Sequence, residues 1–226
     1  VSEPGSRWDT IRLPDAGEPG YAAAGARTLV GHVSSERIVD VAARLFATRG
    51  FDGTTIRDIT REAGVNVGAV TYHFGSKREL YVHVLGAAIF PIRTAMLGIA
   101  RQERDALGRI EAFVRAFFQH LRRTEHMVPL MVREMAGTDP LAPPVRQMLQ
   151  DVMPAIAGVI REGQKAGTIR AGDPLLLALS TAAQPVYFNL ARKALATVLG
   201  LDPNADAHFD RLVDHCVTTV KRQLTP

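Results

Sequence analysis

Apolar residues recur along most of this chain at the three-and-four spacing of helices. Ile38, Val41, Ala42, Leu45 and Phe46 form one such stripe, with Ser34 placed to cap its helix and Gly50 to stop it. Thr54 is positioned to cap a second helix that turns Ile56, Ile59 and Ala63 inward, and Gly64 follows where a left-handed turn residue is needed. Asn66 is expected to cap a short third helix, about Val67 to Phe74. Ser76 and Glu79 make an S-x-x-E capping box for a fourth, with Leu80, Val84 and Ala87 inward and Pro91 expected to kink or end it.

Helical patterns continue to the C-terminus. Phe113, Phe117 and His120 share one face of a helix from about Ala106 to Arg123, and a shorter helix follows around Val128 to Met135. The run from Pro143 to Gly167 opens with prolines and closes with glycine, as a helix should. Asp173 and Pro174 start a helix that is expected to run to Leu199, apolar around most of its circumference and therefore buried on several sides. The last helix, Asp206 to Gln223, carries Phe209, Leu212, Val213, Cys216, Val217 and Val220 on one stripe. The expectation is an all-α chain of about nine helices. Residues 1–33 are rich in proline and glycine and are expected to form a flexible arm. Its Arg7, Arg12 and Arg27 are either cations for a DNA backbone or minor groove, or part of a solvated tail. The expected division is an arm over 1–33, a small helical domain over 34–86 and a larger one over 87–226.

Composition narrows the classes. At 226 residues the chain can bury a sizeable core without staples. Its single cysteine, Cys216, excludes an internal disulfide and fits a cytoplasmic setting. No apolar run is expected to span a bilayer, the N-terminus lacks signal-peptide order, and no membrane partner is expected. There is no nucleophile elbow, phosphate loop or HExxH segment, so neither catalytic residues nor a cofactor are expected. A helical enzyme remains the rival from a different class. His208, His215 and Cys216 raise the thought of a metal site, but neighbouring residues diverge on a helix and Cys216 falls on the apolar stripe; no metal is expected. Between Ser34 and Gly86 seven Lys and Arg (37, 44, 49, 57, 61, 77, 78) face six Asp and Glu (36, 40, 52, 58, 62, 79), a balance of +1. Any contact with nucleic acid there depends on where cations sit, not on a bulk positive field.

The stretch from Thr54 to Leu80 orders a helix, a glycine turn, a short helix and a capped helix. That is the layout of a helix-turn-helix, whose short helix enters the DNA major groove. The ordered series Phe46, Gly50-Phe51, Thr54-Thr55, Ala63-Gly64-Val65, Tyr72-His73-Phe74 and Ser76-Lys77 closely resembles the tetracycline-repressor (TetR) family of bacterial regulators, at motif level over about Ser34 to Leu85. VNVGAVTYHFGSK is similar to a subgroup that usually has Asn where this chain has Thr71, and this departure leaves the operator sequence open. The resemblance implies that the third helix enters the groove. Its small residues Val67, Gly68, Ala69 and Thr71 let the backbone approach base edges, with methyl contacts from Val67, Ala69 and Thr71. Val67 and Gly68 also have packing readings in the turn. Tyr72, Lys77 and Thr55 are implied to donate to phosphates, and His73 to meet a phosphate or cap the helix end. With Thr54 at the start of the second helix, the candidate DNA-contacting set is Thr54, Thr55, Val67, Gly68, Ala69, Thr71, Tyr72, His73 and Lys77. Phe74 is expected in the core.

The larger domain is expected to hold a small-molecule effector, apolar or amphipathic, and to form a homodimer through the last two helices on a palindromic operator. Candidate effector-binding residues are Phe113, Phe117, His120, Met131, Met135, Gln184, Tyr187 and Phe188, each of which also has a reading as ordinary core. Arg133 and Glu134 are expected to pair with each other or to orient the ligand, and prolines 91, 129, 154 and 185 to interrupt helices. The resulting expectation is a repressor released from double-stranded operator DNA by its effector. The alternatives are an activating or ligand-independent regulator.

Overall fold

A computed structural model describes residues 29–226, with side chains from Ser34 onward. Among the described residues there are ten helices and no strand: α1 Leu29–Arg49, α2 Ile56–Ala63, α3 Gly68–Phe74, α4 Lys77–Ala100, α5 Ala106–Arg123, α6 Met127–Ala136, α7 Pro143–Lys165, α8 Pro174–Leu190, α9 Arg192–Leu199 and α10 Asp206–Leu224. The chain divides into two compact units. Unit one takes the described residues up to Phe90 together with Pro129–Gln147, and unit two takes Pro91–Val128 with Met148–Pro226. Arg7, Arg12 and Arg27 of the expected arm lie outside the described residues.

Unit one is built on the expected stripe. Ile38, Ala42, Leu45 and Phe46 of α1 are buried with Ile59 and Ala63 of α2, Val70 of α3 and Leu80, Val84, Leu85 and Ile89 of α4. α1 packs against both α2 and α3, and these pack on each other. Gly64 ends α2 in the left-handed region, φ 65°, ψ 36°, and the Val65 amide then reaches back to the Thr60 carbonyl at 2.9 Å. The helix stops there because only glycine adopts that conformation without a steric penalty.

In unit two α10 packs on α5 and α8, α5 on α8, and α8 on α9. Phe113, Val114, Phe117, Phe118 and Leu121 of α5 meet the buried stripe Phe209, Leu212, Val213, Cys216, Val217 and Val220 of α10 in one core. Burial pushes the Cys216 thiol up to about 11 by disfavouring the thiolate.

Several expectations change. α1 begins at Leu29, so Ser34 lies inside the helix and does not cap it. α4 runs through Pro91 to Ala100. A proline costs an interior helix about 3 kcal/mol, and the burial of Ile92, Met96 and Ile99 beyond it outweighs that, at roughly 1.5–3 kcal/mol for each large apolar side chain. In that helix Ala88 is buried and Ala87 is exposed. The long apolar helix expected over Leu175–Leu199 is two helices, broken at Ala191 (φ −83°, ψ 0°). Just past the break, Arg192 donates to the Glu125 carbonyl at 3.1 Å, a contact that no local spacing reveals. The stripe of α10 is spent inside its own unit and does not face outward. Finally, α4 is long and apolar enough to cross a bilayer by length and composition. It serves instead as a core helix, with Leu80, Val84, Leu85, Ile89, Ile92 and Met96 buried.

Candidate nucleic-acid interface

The loop before α2 decides which threonine is available. Thr54 is fully buried, and its hydroxyl donates to the Gly50 carbonyl at 2.8 Å and the Leu45 carbonyl at 3.3 Å. It therefore neither caps α2 nor reaches the surface; it fastens the loop to the end of α1. Thr55 is the cap. Its hydroxyl accepts from the Asp58 amide at 3.1 Å, while the Asp58 carboxylate accepts from the Thr55 amide at 3.3 Å. The Thr55 hydroxyl also donates to that carboxylate at 2.6 Å. This hydroxyl hydrogen bond, with the Thr55 amide and Arg61, holds the Asp58 carboxyl below the usual carboxylate range despite the opposing effect of burial. Asp58 thus occupies the positive end of α2.

α3 is short because of its two ends. Asn66 Oδ1 accepts from the Gly68 amide at 2.8 Å in an Asx-type turn, but the N-cap is Val67 and carries no side-chain cap, so Asn66 is not the cap expected of it. Gly75, at φ 80°, terminates it, and its amide donates to the Thr71 carbonyl at 3.0 Å. Only Val70 of this helix is fully buried. Val67 is 51% exposed and Tyr72 74% exposed, unusual for large apolar bodies that ordinary packing would hide. Gly68 and Thr71 are exposed as well, and Ala69 is half-buried. The surface of α3 is a ridge of small residues ending in an aromatic hydroxyl.

His73 is half-buried, with its ring edge-on to Tyr72 at 4.9 Å. Phe74 is only half-buried; it stacks edge-on with His83 of α4 at 5.2 Å, not in the deep core as expected. Burial also pushes the His83 imidazole below its ordinary value of 6.5. Lys77 opens α4 and is committed to the protein. Its ammonium donates to the Thr54 carbonyl at 2.8 Å and lies 4.3 Å from the centre of the Phe51 ring. An ammonium has three donors, so this anchoring still leaves capacity for an anion. The Ser76 hydroxyl accepts from the Glu79 amide at 3.2 Å, one half of the expected box, while the Ser76 amide donates to the Phe74 carbonyl. Asp58 as the partner of Thr55, and the exposure of Arg57 on α2 and Arg78 on α4, go beyond the expected set. The T-x-x-D spacing of 55–58 was the available signal for the first.

The expected effector residues fall in both units. Phe113 and Phe117 are buried in unit two, His120, Gln184 and Phe188 are half-buried, and Tyr187 is 60% exposed. Tyr187 and Phe188 stack edge-on at 5.8 Å, and Phe188 approaches Phe118 at 6.4 Å. Met131 is half-buried and Met135 58% exposed, both in unit one. Asn189 was not singled out. It is 7% exposed, its amide nitrogen lies 3.5 Å from the Leu121 carbonyl, and its Oδ1 is buried without a donor among the described groups. It is one of two amides in the apolar run of α8, with Gln184. Arg133 and Glu134 do not pair with each other; they hold separate partners in unit one.

Comparison with known proteins agrees with this arrangement. The profile for bacterial regulatory proteins of the tetR family matches residues 38–84, and that for the tetracyclin repressor-like C-terminal domain matches residues 107–220. The HTH-type transcriptional repressor BepR of Brucella suis is 27% identical over 149 residues, 59% of this chain and 68% of its own. The repressor KstR2 of Mycobacterium tuberculosis is 31% identical over 93 residues, 40% of this chain and 46% of its own. For a third relative, YerO of Bacillus subtilis, the chain spans only 35% of the length. Among solved structures, the ketosteroid transcriptional regulator KstR2 of Mycobacterium tuberculosis superposes with a TM-score of 0.72 at 19% identity, covering 85% of this chain and 95% of its own. AibR, in complex with isovaleryl coenzyme A and operator DNA, does so with a TM-score of 0.68 at 15% identity, covering 82% and 97%. These two likenesses speak for the fold. The profiles take in both the short α3 ridge and the helical body that follows it, and the chain belongs to the tetR family of bacterial regulatory proteins.

Proposed function

We propose that this chain is a cytoplasmic transcriptional regulator, not an enzyme, that represses by binding operator DNA and is released by a small effector. The observation that carries the reading is the α3 ridge: Val67 and Tyr72 are exposed beside Gly68, Ala69 and Thr71, on a helix pinned at both ends. Small side chains admit the helix to a major groove, and Val67 and Thr71 offer methyl contacts to thymine. Tyr72, His73 and Lys77 supply donors for phosphates, which set register and not sequence, whereas the Thr55 hydroxyl proton is already given to Asp58. Thr54 acts only through the loop it fastens.

One such helix reads few base pairs, so a palindrome read by a dimer follows. On α8 the exposed residues Leu176, Leu179, Ala183, Tyr187 and Leu190 recur at intervals of three and four, one stripe on the helix. With Val198 and Leu199 of α9, 77% and 68% exposed, they form the dimer face in this reading, in place of the α10 stripe. The effector is amphipathic: apolar contacts come from Phe113, Phe117 and Phe188, and Asn189 Oδ1 accepts from a donor on the ligand. Ligand and DNA each favour one of two conformations, so each weakens the other by the same factor. AibR, solved with both an acyl coenzyme A and DNA, is a precedent in the same fold.

Selection of duplexes from a random library, followed by fluorescence anisotropy against excess random DNA, tests the reading. Enrichment of a palindrome that resists competition supports it. Binding that random DNA abolishes, with no sequence enriched, refutes it.

A further inference from the structure

Asn189, in the last turn of α8, is 7% exposed. Its Nδ2 lies 3.5 Å from the carbonyl of Leu121, in the last turn of α5. The last carbonyls of a helix lack donors within it. In this turn the His120 carbonyl accepts from the Thr124 amide at 2.9 Å, and the Leu121 carbonyl faces Asn189. That contact decides which way the side-chain amide points. A carbonyl accepts only from the NH2 side, and the reversed amide would set two oxygens against each other. Oδ1 is therefore turned away from Leu121. It is buried and has no donor among the described groups, so its desolvation is uncompensated within the chain.

The neighbourhood is aromatic, and its cations are committed. Phe188 approaches Phe118 of α5 at 6.4 Å, and Phe118 meets Phe209 of α10 edge-on at 6.4 Å. Arg122 pairs with Asp206 and lies 4.6 Å from the centre of the Phe209 ring. Arg192 donates to the Glu125 carbonyl at 3.1 Å and pairs with the Glu125 carboxylate at 3.5 Å. Arg109, the buried cation of α5, stands about 18 Å along the helix from Leu121 at 1.5 Å per residue, held by the Ala100 carbonyl and Glu162. A carboxylate placed at Oδ1 would meet another oxygen and the negative end of α5. An ammonium there would lose its hydration with no carboxylate left to pair with it. His120, half-buried one residue before Leu121, is the donor a carboxylate would need, and the acid probe below tests that route.

We propose that unit two takes an uncharged apolar molecule bearing a hydroxyl, whose O–H donates to Asn189 Oδ1. The proposal rests on the effector reading above and names the ligand class. A hydroxyl supplies the donor that Oδ1 lacks, carries no charge to desolvate, and leaves its carbon chain to Phe118 and Phe188. An ether of the same formula offers the same apolar surface but no proton, so it leaves Oδ1 unmet. Asn189 thus determines specificity: Leu121 holds its Nδ2, and its Oδ1 selects a donor over an acceptor.

The test is titration calorimetry of the full chain, without DNA, against 1-octanol, its isomer heptyl methyl ether, octanoate and octylammonium. The wild type is expected to bind 1-octanol roughly tenfold more tightly than the ether, the difference that one neutral hydrogen bond makes, and to bind neither ion as well. In Asn189→Leu, which keeps the size of the side chain and removes the acceptor, the alcohol and the ether bind alike. The wild-type series carries the test if Asn189→Leu does not fold. Octanoate or octylammonium binding as tightly as the alcohol overturns the proposal. So does an alcohol preference that persists in Asn189→Leu, or a wild type that binds none of the four. Adding 1-octanol to the chain on its selected duplex then tests the reading beneath. Alcohol bound with the expected pattern but without release of DNA keeps the ligand class and overturns the effector reading.

Discussion

Lys77→Met separates a structural role from a phosphate contact at the residue where the two compete most directly. Methionine keeps an unbranched apolar stem near Phe51 and removes the charge. Two interactions are lost: the ammonium–carbonyl hydrogen bond to Thr54 at 2.8 Å and the cation–π contact with Phe51 at 4.3 Å. A hydrogen bond to a charged group contributes about 1.5–3 kcal/mol, and half-burial of Lys77 argues for the lower end. A partly exposed cation–π pair adds about 0.5–1 kcal/mol. The loop from Gly50 to Thr55 is therefore expected to lose roughly 2 kcal/mol of local stability, or a 30-fold increase in opening, since each 1.4 kcal/mol is about tenfold. Amide exchange across residues 50–55 reads this directly. Operator titrations from low to high salt read the second role, because removing one phosphate contact lowers the log–log salt slope by about 1. The expected outcome is both effects together. Unchanged exchange over 50–55 would refute the energetic argument, and an unchanged slope with weaker binding would show that Lys77 acts only through the loop.

Other expectations follow from the same geometry. Gly64→Ala forces a side chain into the left-handed region at φ 65°; the Cβ would meet only the flexible tip of Arg37, at 3.1 Å. The cost is thus set by the backbone at roughly 1–2 kcal/mol, and a drop in the urea midpoint measures it, with Gly64→Asn expected to fall less. Cys216 should resist alkylation at neutral pH in the folded chain and react fully in denaturant, because burial pushes its thiol up to about 11; rapid native labelling would contradict the core assignment. His83 favours the neutral form when folded, being pushed below its ordinary 6.5 by burial. Its contribution is therefore fully present above about pH 6.5, is lost as pH falls toward the folded value, and is flat below that. Comparing urea midpoints of wild type and His83→Gln across pH 5 to 8 should isolate this component. Leu176→Glu on the α8 stripe should convert a dimer to monomers in analytical ultracentrifugation, without unfolding the single chain.

Periodicity alone was enough for most of the helices, because the spacing of Ile38, Ala42, Leu45 and Phe46 or of Phe209 through Val220 records which face must leave water. A glycine stop was equally legible where the signal is local, at Gly64 after α2. The α3 ridge could be read for the same reason, since small residues in a short capped helix are themselves the feature. What failed locally was decided by competition between neighbours. Both Thr54 and Thr55 suit a cap, and only the carbonyls of Gly50 and Leu45 beneath the loop bury the first and leave the second for α2. Pro91 signals a break, yet the buried residues beyond it carry α4 onward. The break at Ala191 and the inward turn of the α10 stripe belong to packing partners far along the chain. Arg133 and Glu134 are the clearest case. As neighbours of opposite charge they invite pairing, but adjacent helical side chains diverge, and only the tertiary fold brings the end of α1 to one and Tyr81 of α4 to the other.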